Sequence, residues 1–363
     1  MAQMTSSSAM LKQTRRTRFV CISDTHNATI KEDEMPDGDV LIHCGDLTDS
    51  GKAKELETTI GWLDKLTKYE VKIIVAGNHD LTIDSAFYNQ YGMYHHGQNA
   101  QKSQECRNII LNATSLMYLE HESRTIHLSS PNGPRTKFSI FGSPHTPNFP
   151  APNEWAFMYT RPTEDDGVAA SKIWSQVPLD TDILVTHGPA HKHRDETMSR
   201  DAAGCELLQQ AMWRVRPRLA LCGHIHEARG VERVRWNLDS KAPYAETSTR
   251  QWENPDPEGE MDLVDLTAAG PDPLLNDGSS AGVEDKQPGA SRTWWSEEGS
   301  GVNPGLGTRG LSGNPESARS DQAALKRRLG RKETCIANCS IMAKPWVSQQ
   351  RNKSIVVDLD LPI

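Results

Sequence analysis

The stretch Val71-Lys-Ile-Ile-Val75-Ala-Gly-Asn-His-Asp80 contains the most informative pattern in the chain, a strand that ends in a polar turn. Its β-branched, apolar beginning predicts a buried strand, and Gly77 allows the backbone to turn tightly where that strand ends. The turn then presents Asn78, His79 and Asp80, which together can hold a metal, donate a proton and orient the donor. One such group would be weak evidence, but four other segments repeat the design.

Two upstream segments follow the same plan. The run Arg18–Ser23 predicts a strand that leads into Asp24 and His26, and residues two apart on an extended backbone project in the same direction. A second strand, Asp39–Cys44, leads into Asp46. These side chains are therefore expected at the carboxyl ends of neighbouring strands, where open α/β sheets bind their ligands.

Between Lys52 and Tyr69, apolar residues recur at three- and four-residue spacing, which predicts an amphipathic helix and hence a parallel strand-helix-strand crossover. Two later strands end in histidines. Thr181–Thr186 leads into His187, and Leu219–Cys222 leads into His224 and His226.

A second sheet is predicted from the short alternating segments Leu116–Leu119, Thr125–Leu128 and Lys137–Phe141, which read as antiparallel strands. Two late segments, Thr334–Met342 and Ser354–Leu359, are expected to complete this second sheet. Substrate specificity is expected in loops such as 142–161.

The domain organisation follows from where the periodic patterns stop. Residues 1–17 are expected to be a disordered tail, and residues 18–239 form the main domain. Residues 240–324 are rich in Gly, Pro, Ser and acids, so they are expected to be a disordered insertion. Within it, 261–266 and 294–295 are weak candidates for partner-binding motifs. Residues 325–363 return to strands that complete the domain.

Composition excludes several classes of function. The formal net charge of −8 and the pI near 5.9 argue against binding to polymeric nucleic acid. No apolar run is long enough for a transmembrane helix, and the first residues lack the apolar core of a secretory signal, so no membrane association is expected. The seven cysteines form no Cys-x-x-Cys pair, which favours small buried thiols and a cytoplasmic location.

The oxygen and nitrogen donors at the predicted strand ends are too many for one four-coordinate ion and suit two ions that share a bridging carboxylate. They favour Mn²⁺, Zn²⁺ or Fe over Mg²⁺. The predicted ligands are Asp24, His26, Asp46, Asn78, His187, His224 and His226. Other histidines are expected to be structural, namely His43, His95, His96, His121 and His127.

The motifs resemble the signature of calcineurin-like metallophosphoesterases, in the same order along the chain. They are Asp24-x-His26, Gly45-Asp46, Gly77-Asn-His-Asp80, His187-Gly188 and Gly223-His-x-His226. Further segments resemble the small branch named for containing a metallophosphoesterase domain, among them Trp155-Ala-Phe157, Thr186-His-Gly-Pro189, Gly204-Cys-Glu-Leu-Leu208 and Arg216-Pro217.

This resemblance implies a four-layer αββα sandwich of the α/β (α+β) class, with two mixed sheets and a binuclear metal site at the strand ends. It implies that Asp24, His26 and His226 hold one ion and that Asp46 bridges. The second ion would be held by Asn78, His187 and His224. Some members of the branch lack the last histidine and hydrolyse poorly, so the presence of His226 favours an active enzyme.

The expected reaction is hydrolysis of a phosphoester by in-line attack of a metal-bridging hydroxide. His79 is the candidate general acid for the leaving group, and Asp80 is expected to orient it. Small phosphodiesters, cyclic nucleotides among them, are the preferred substrate class. The alternatives are a phosphomonoesterase or protein phosphatase, and a catalytically weak nucleotide-binding regulator or scaffold whose insertion recruits partners.

Overall fold

The computed structural model describes residues 13–149, 154–161, 167–237, 240, 242, 244–278, 330–342 and 351–363. In these ranges the helices are α1 (Ala53–Lys65), α2 (Ser85–His96), α3 (Ser103–Asn112), α4 (Val168–Trp174) and α5 (Glu206–Val215). The strands of the first half are β1 (Thr14–Ile22), β2 (Val40–Cys44), β3 (Val71–Val75), β4 (Leu116–Tyr118), β5 (Glu122–His127), β6 (Lys137–Ser143), β7 (Thr146–Pro147) and β8 (Met158–Tyr159). Those of the second half are β9 (Ile183–Thr186), β10 (Leu219–Cys222), β11 (Gly230–Trp236), β12 (Glu246–Gln251), β13 (Asp262–Asp265), β14 (Glu333–Asn338) and β15 (Ile355–Pro362).

The strands form two large mixed sheets. The first has the order β13-β15-β1-β2-β3-β4, and β1 to β4 are parallel to one another. The second has the order β12-β11-β14-β10-β9-β6-β5, with a parallel centre from β14 to β6. The short strands β7 and β8 pair separately. Both parallel centres direct their carboxyl ends toward the candidate site.

Alternation along β1 shows how the layers are built. Phe19 and Cys21 face the second sheet and share one apolar cluster with residues such as Ile140. Val20 and Ile22 face the other way and share a cluster with α1 and α3. Because successive strand residues point to opposite faces, an uninterrupted apolar strand must be covered on both sides.

The outer face of the second sheet is covered in the same manner by α4 and α5. Trp174 and Trp213, from these two helices, are almost fully buried, and they pack in one cluster with sheet residues such as Leu184 and Ala220. The order of layers is helices, sheet, sheet, helices. The predicted four-layer αββα sandwich is therefore confirmed.

Two predicted strands belong to a different sheet from the one expected. β4 lies parallel to β3 in the first sheet, although the segment Leu116–Leu119 was expected to be antiparallel and in the second. β15 pairs with β1 in the first sheet, from Thr14 opposite Pro362 to Cys21 opposite Ile355. Local alternation identifies a strand but carries no information about its partner, which is chosen by packing across the whole sheet.

The expected boundaries also need correction at both ends of the domain. Thr14–Thr17, assigned to the tail, are part of β1 because β15 supplies partners along their whole length. Within the expected insertion, β12 pairs with β11 and extends the second sheet, and β13 pairs with β15 and extends the first. A polar strand such as β12 is stabilised by its partner's backbone, and its own composition gives no sign of it. Within the expected tail and insertion, residues 1–12, 241, 243 and 279–324 lie outside the described residues.

Met261–Leu266, a candidate for a partner-binding motif, is largely taken up by β13, where Val264 is buried in the apolar cluster between the two sheets. The pair Trp294-Trp295 lies outside the described residues.

All seven cysteines are free and buried, which confirms the expectation of small core thiols. Among the helices of the described ranges, none is both long and apolar enough to cross a bilayer.

Candidate metal centre

The seven predicted ligands lie at the ends of five parallel strands, three in one sheet and two in the other. Asp24, Asp46 and Asn78 follow β1, β2 and β3. His187 follows β9, and the pair at 224 and 226 follows β10. Since the sheets face each other, their carboxyl ends converge on one place, and residues 200 positions apart come into contact.

The backbone at this edge adopts conformations that side chains usually avoid. The φ angle is 53° at Asp24, 42° at His26, 51° at Asp46 and 68° at His224. A left-handed conformation at a residue other than glycine costs of order 1 kcal/mol and persists where the surroundings impose it. Four of the seven predicted ligands share this feature, as is common at functional sites.

Glycines leave room for the ligands to approach one another. A Cβ at Gly77 would collide with the Asp46 carboxylate and backbone nitrogen and would lie 2.7 Å from the His187 ring. A Cβ at Gly223 would collide with the side chains of Ser23 and Asp24. At Gly77 and Gly223 only a glycine leaves enough space for the neighbouring donor side chains.

One group of donors contains Asp24, His26 and His226, whose ligand atoms all lie within 4.8 Å of one another. The Nε2 atoms of the two histidines are 3.3 Å apart, and His226 Nε2 lies 3.4 Å from Asp24 Oδ1. The Asp49 carboxylate, 3.4 Å from Nδ1 of His26, orients that ring from behind. The Asp24 carboxylate in turn accepts the backbone N–H of His224 at 3.0 Å.

A second group contains Asp46, His187 and His224, again within 4.8 Å. His187 donates through Nδ1 to the Cys44 carbonyl at 2.9 Å. Its Nε2 faces Asn78 Oδ1 at 2.9 Å and Asp46 Oδ1 at 3.3 Å. Asp46 Oδ2 also lies 3.6 Å from His26 Nε2, so this carboxylate contacts both groups.

The aspartate and histidine side chains of the two groups affect one another's ionisation. Burial opposes ionisation of Asp24 and Asp46, but the neighbouring histidines hold the pKa of both carboxyls below its usual value. Burial likewise disfavours the cations of His26 and His187, yet the surrounding carboxylates raise the pKa of each to about 9. For His224, burial dominates and lowers the pKa to about 3.

These donors fit divalent metal ions. Two nitrogen ligands at ~2.1 Å from one tetrahedral ion lie about 3.4 Å apart, which matches the two facing Nε2 atoms of His26 and His226. The hydrogen bond from His187 Nδ1 to a carbonyl leaves Nε2 as the ligand atom, which is the usual arrangement behind a metal-binding imidazole. Imidazole, carboxylate and amide groups are all donors that bind divalent metal ions in proteins.

His79 lies beside both groups, and its ligand atom is within 4.8 Å of those of His26 and Asp46. Its Nδ1 is 2.7 Å from the Asp49 carbonyl oxygen and must donate to it, since a carbonyl only accepts. The ring packs against Trp155, with centroids 4.4 Å apart. The remaining nitrogen, Nε2, is thus the one available to a ligand or a substrate.

The structure corrects the expected role of Asp80. Its buried carboxylate accepts the backbone N–H groups of Gly77 at 2.8 Å, Leu47 at 3.2 Å and Thr48 at 2.9 Å, together with the Thr48 hydroxyl at 2.7 Å. Asp80 therefore joins the loop after β2 to the loop after β3, and the group that orients His79 is the Asp49 carbonyl. Sequence adjacency suggested a side-chain pair, but the turn directs the two side chains to different partners.

A cavity of about 370 Å³ opens over the ligands. Predicted ligands and His79 form part of its wall. The other lining residues were not identified by the sequence motifs, although three of them lie in the expected specificity loop 142–161. These further lining residues are Asp49, Pro147, Phe149, Arg161, Thr197, Ala203, Ile225, Glu227 and Met342. Asp49 could have been noticed as a polar residue three positions after Asp46, but the loop residues carry no sequence signal of this kind.

Of the histidines expected to be structural, His43 is the best defined. It is fully buried, its Nε2 is 2.9 Å from the Thr25 hydroxyl, and burial lowers its pKa to about 3. It therefore stays neutral and supports the turn that carries Asp24 and His26.

Comparison with known proteins gives one family. The sequence model of the calcineurin-like phosphoesterase family matches residues 17–228, which is more than half of the chain. The chain is 38% identical over 221 residues to the human metallophosphoesterase domain-containing protein 1, and the match covers 59% of this chain and 62% of that protein. A UPF0046 protein of Caenorhabditis elegans is 31% identical over 225 residues, covering 59% and 52%.

A protein of Emericella nidulans described as probable rhamnogalacturonate lyase C is 38% identical over 240 residues, which are 65% of this chain but only 20% of that protein. The chain thus spans less than two thirds of the length of each of these curated relatives.

Solved structures resemble the chain more distantly. A protein of Thermus thermophilus has a TM-score of 0.36 at 12% identity, covering 58% of this chain and 82% of its own. A purple acid phosphatase from yellow lupin has a TM-score of 0.33 at 14% identity, covering 62% and 40%. TM-scores this low do not support an argument about the fold. The fold is assigned from the four layers described above, and the family is assigned from the sequence match. The chain belongs to the calcineurin-like phosphoesterase family.

Proposed function

We propose that the protein is a metal-dependent phosphoesterase that holds two divalent ions and prefers small phosphodiesters. The observation that carries this proposal is the convergence of two donor groups, Asp24 with His26 and His226 and Asp46 with His187 and His224, at one edge of the paired sheets. Membership of the calcineurin-like family supports phosphoester hydrolysis as the reaction. Cytoplasmic location remains a prediction, which the buried free thiols support.

In this proposal Asp24, His26 and His226 would hold one ion, and Asn78, His187 and His224 would hold the other. Asp46, whose carboxylate lies beside both donor groups, would be available to each ion. Two bound ions would supply Lewis-acid chemistry: positive charge against the phosphoryl oxygens and a water acidified enough to act as the nucleophile near neutral pH. The chain's own contribution is to fix these donors before substrate binds. Buried carboxylates, backbone hydrogen bonds and left-handed turns all serve that purpose.

His79 is proposed to protonate the leaving alkoxide from Nε2. With Nδ1–H held by the Asp49 carbonyl, the proton that the cationic ring can give away is the one on Nε2. The ring lines the cavity and is held between Trp155 and His26. A positioned general acid of this kind is typically worth ~10²–10⁴-fold in rate.

The preference for diesters rests on the wall of the cavity. Phe149 exposes 37% of its surface there, and its ring centroid is 5.8 Å from that of His224. Pro147, Ile225 and Met342 add further apolar surface. A diester carries a second organic group that this surface can cover, whereas a monoester would place a second ionisable oxygen against it.

The first test is turnover of bis(4-nitrophenyl) phosphate and of 4-nitrophenyl phosphate by metal-stripped protein with Mn²⁺ added back. We expect metal-dependent cleavage that favours the diester and disappears in Asp46→Asn. Faster cleavage of the monoester would identify a phosphomonoesterase. Failure to cleave either ester, in protein that contains two metals, would favour a binding or scaffold role.

The role of His79 is tested by His79→Ala with two esters that differ in their leaving group. We expect metal content to stay near two ions, while hydrolysis of an alkyl ester falls ~10²–10⁴-fold and that of a 4-nitrophenyl ester falls far less, since 4-nitrophenolate needs no proton. His127→Ala, at an exposed position on β5, is the matched control. Equal losses for both esters would refute the acid role, and loss of one ion would make His79 a ligand.

A further inference from the structure

Arg161 is a half-buried cation in the cavity wall whose position is fixed by neutral groups. Its Nη1 donates to the Ala203 carbonyl at 3.1 Å and its Nη2 to the Gly204 carbonyl at 3.2 Å. Its backbone N–H donates to Asn148 Oδ1 at 3.2 Å. The backbone of Arg161 is thus held by the loop that carries it, and its side chain is held by the loop before α5.

The same loop places Arg161 in the wall of the cavity that the predicted metal ligands also line. Asn148 also donates its backbone N–H to the Tyr159 carbonyl at 2.8 Å, which extends the pairing of β7 with β8. Phe149 is the next residue, and its ring lies beside His224. Arg161 and Phe149 therefore belong to one folded unit that forms the wall next to the ligands.

The charge of Arg161 has no carboxylate partner in the part of the chain that the structure describes. Other half-buried arginines do have one: Arg18 pairs with Asp358 at 2.7 Å and Arg107 with Glu120 at 2.7 Å. Two carbonyl contacts satisfy only two of the five guanidinium N–H groups, and no carboxylate among the described residues compensates the charge. A planar guanidinium with free donors is suited to bind the oxygens of a carboxylate or phosphate.

We infer that Arg161 is a specificity-determining residue that binds an oxyanion on the organic arm of the substrate, separate from the phosphoryl group that reacts. This inference rests on the proposed function, because it assigns the scissile phosphoryl group to the metal ligands. The favoured substrates are diesters whose second arm ends in a carboxylate or phosphate group. Such a group reaches Arg161 while the arm lies along Phe149.

The test uses three 4-nitrophenyl diesters that share a leaving group and differ at the end of the other arm, which is a carboxylate, a phosphate or the neutral carboxamide. With wild-type protein we expect kcat/KM for at least one charged ester to exceed that of the carboxamide by about tenfold or more. In Arg161→Gln this ratio should fall to near one, and Arg161→Lys should retain part of it. Arg124→Gln, which removes an exposed arginine from β5, should keep the wild-type ratio.

A ratio near one in the wild type, or a ratio that Arg161→Gln leaves unchanged, would overturn the inference. The same ratios are measured as affinities by calorimetry with non-hydrolysable phosphonate analogues of the three esters. An Arg161-dependent affinity ratio without turnover of any ester would support the binding site and reject the proposed hydrolysis. If Arg161→Gln does not fold, Arg161→Lys carries the comparison.

Discussion

The cavity has two walls that are built on different principles. The ligand edge, formed by the seven predicted metal ligands, lies at strand ends, is largely buried and is braced by backbone hydrogen bonds. The loop wall, formed by Pro147, Phe149, Arg161, Thr197 and Ala203, belongs to the short strand β7 and to connecting segments, and all of these residues except Pro147 are partly or largely exposed. The ligand edge fixes donor positions through constraints that tolerate almost no change, whereas the loop wall is held by a few hydrogen bonds and can differ without disturbing the sheets.

The largest effect is expected from crowding the ligand edge with Gly77→Ala. The added methyl group would collide with Asp46, so we expect loss of metal binding and a free energy of unfolding lower by about 1–3 kcal/mol. Metal content and urea denaturation measure the two effects. Gly61→Ala in α1 is the control, because no heavy atom within 4 Å meets its Cβ, and it should stabilise by ~0.5–1 kcal/mol. Similar effects of the two substitutions would contradict a rigid ligand edge.

The brace behind the ligand edge is tested by Asp80→Asn. An amide has one acceptor oxygen where the carboxylate has two, so at least one of the backbone N–H groups it now binds would face another donor. We expect a loss of ~1–3 kcal/mol in stability and Mn²⁺ affinity weaker by ~10–100-fold. Asp64→Asn, on the exposed side of α1, should change neither. If only the leaving-group dependence changed, Asp80 would instead be acting on His79.

The loop wall has an anchor of its own in His193, which is buried between Glu232 at 2.7 Å and Glu246 at 3.1 Å. Burial opposes its charge, but the two carboxylates raise its pKa to about 9. The pKa of His193 in the folded protein is above the ordinary value of about 6.5. The stabilisation that its two ion pairs give to the fold is therefore complete below pH 6.5 and is lost as the pH rises through 9.

We therefore expect His193→Gln to destabilise the protein by about 2 kcal/mol more near pH 6 than near pH 10. Urea denaturation at both pH values measures the difference, with His127→Gln as the exposed control. A destabilisation that does not vary with pH would show that His193 stabilises the loop through packing alone.

The smallest effect is expected from a change remote from both walls. Asp277 donates its backbone N–H to the Gly330 carbonyl at 3.2 Å, and Asn276 pairs with Arg331. A short Gly-Ser linker in place of residues 279–329 should thus leave Mn²⁺ binding intact and lower the free energy of unfolding by less than about 1 kcal/mol. Removing 240–324 instead would delete β12 and β13 and should yield insoluble protein. Loss of folded protein in the shorter deletion would contradict this expectation.

Much of the molecule was predictable because its signals are local. Apolar runs of four or five residues that end in polar side chains identified β1, β2, β3, β9 and β10, and the donors that follow them. Strand partners were less predictable. β15 joins β1 across more than 300 positions, and β12 carries only polar, largely exposed residues. Pairing of this kind depends on backbone groups that the whole fold brings together, and the amino-acid composition of a strand does not reveal it.

The donor side chains of the ligand edge could be read from the sequence, because the type of a donor is a property of one residue and its spacing from a strand end. How these residues are held, and what faces them, depends on the tertiary structure. It assigned Asp80 to the backbone of two loops, gave His79 the Asp49 carbonyl as its partner, and brought Arg161 into the cavity wall. These roles depend on contacts between loops that follow different strands, and such contacts exist only once the strands have paired and the loops have folded against one another.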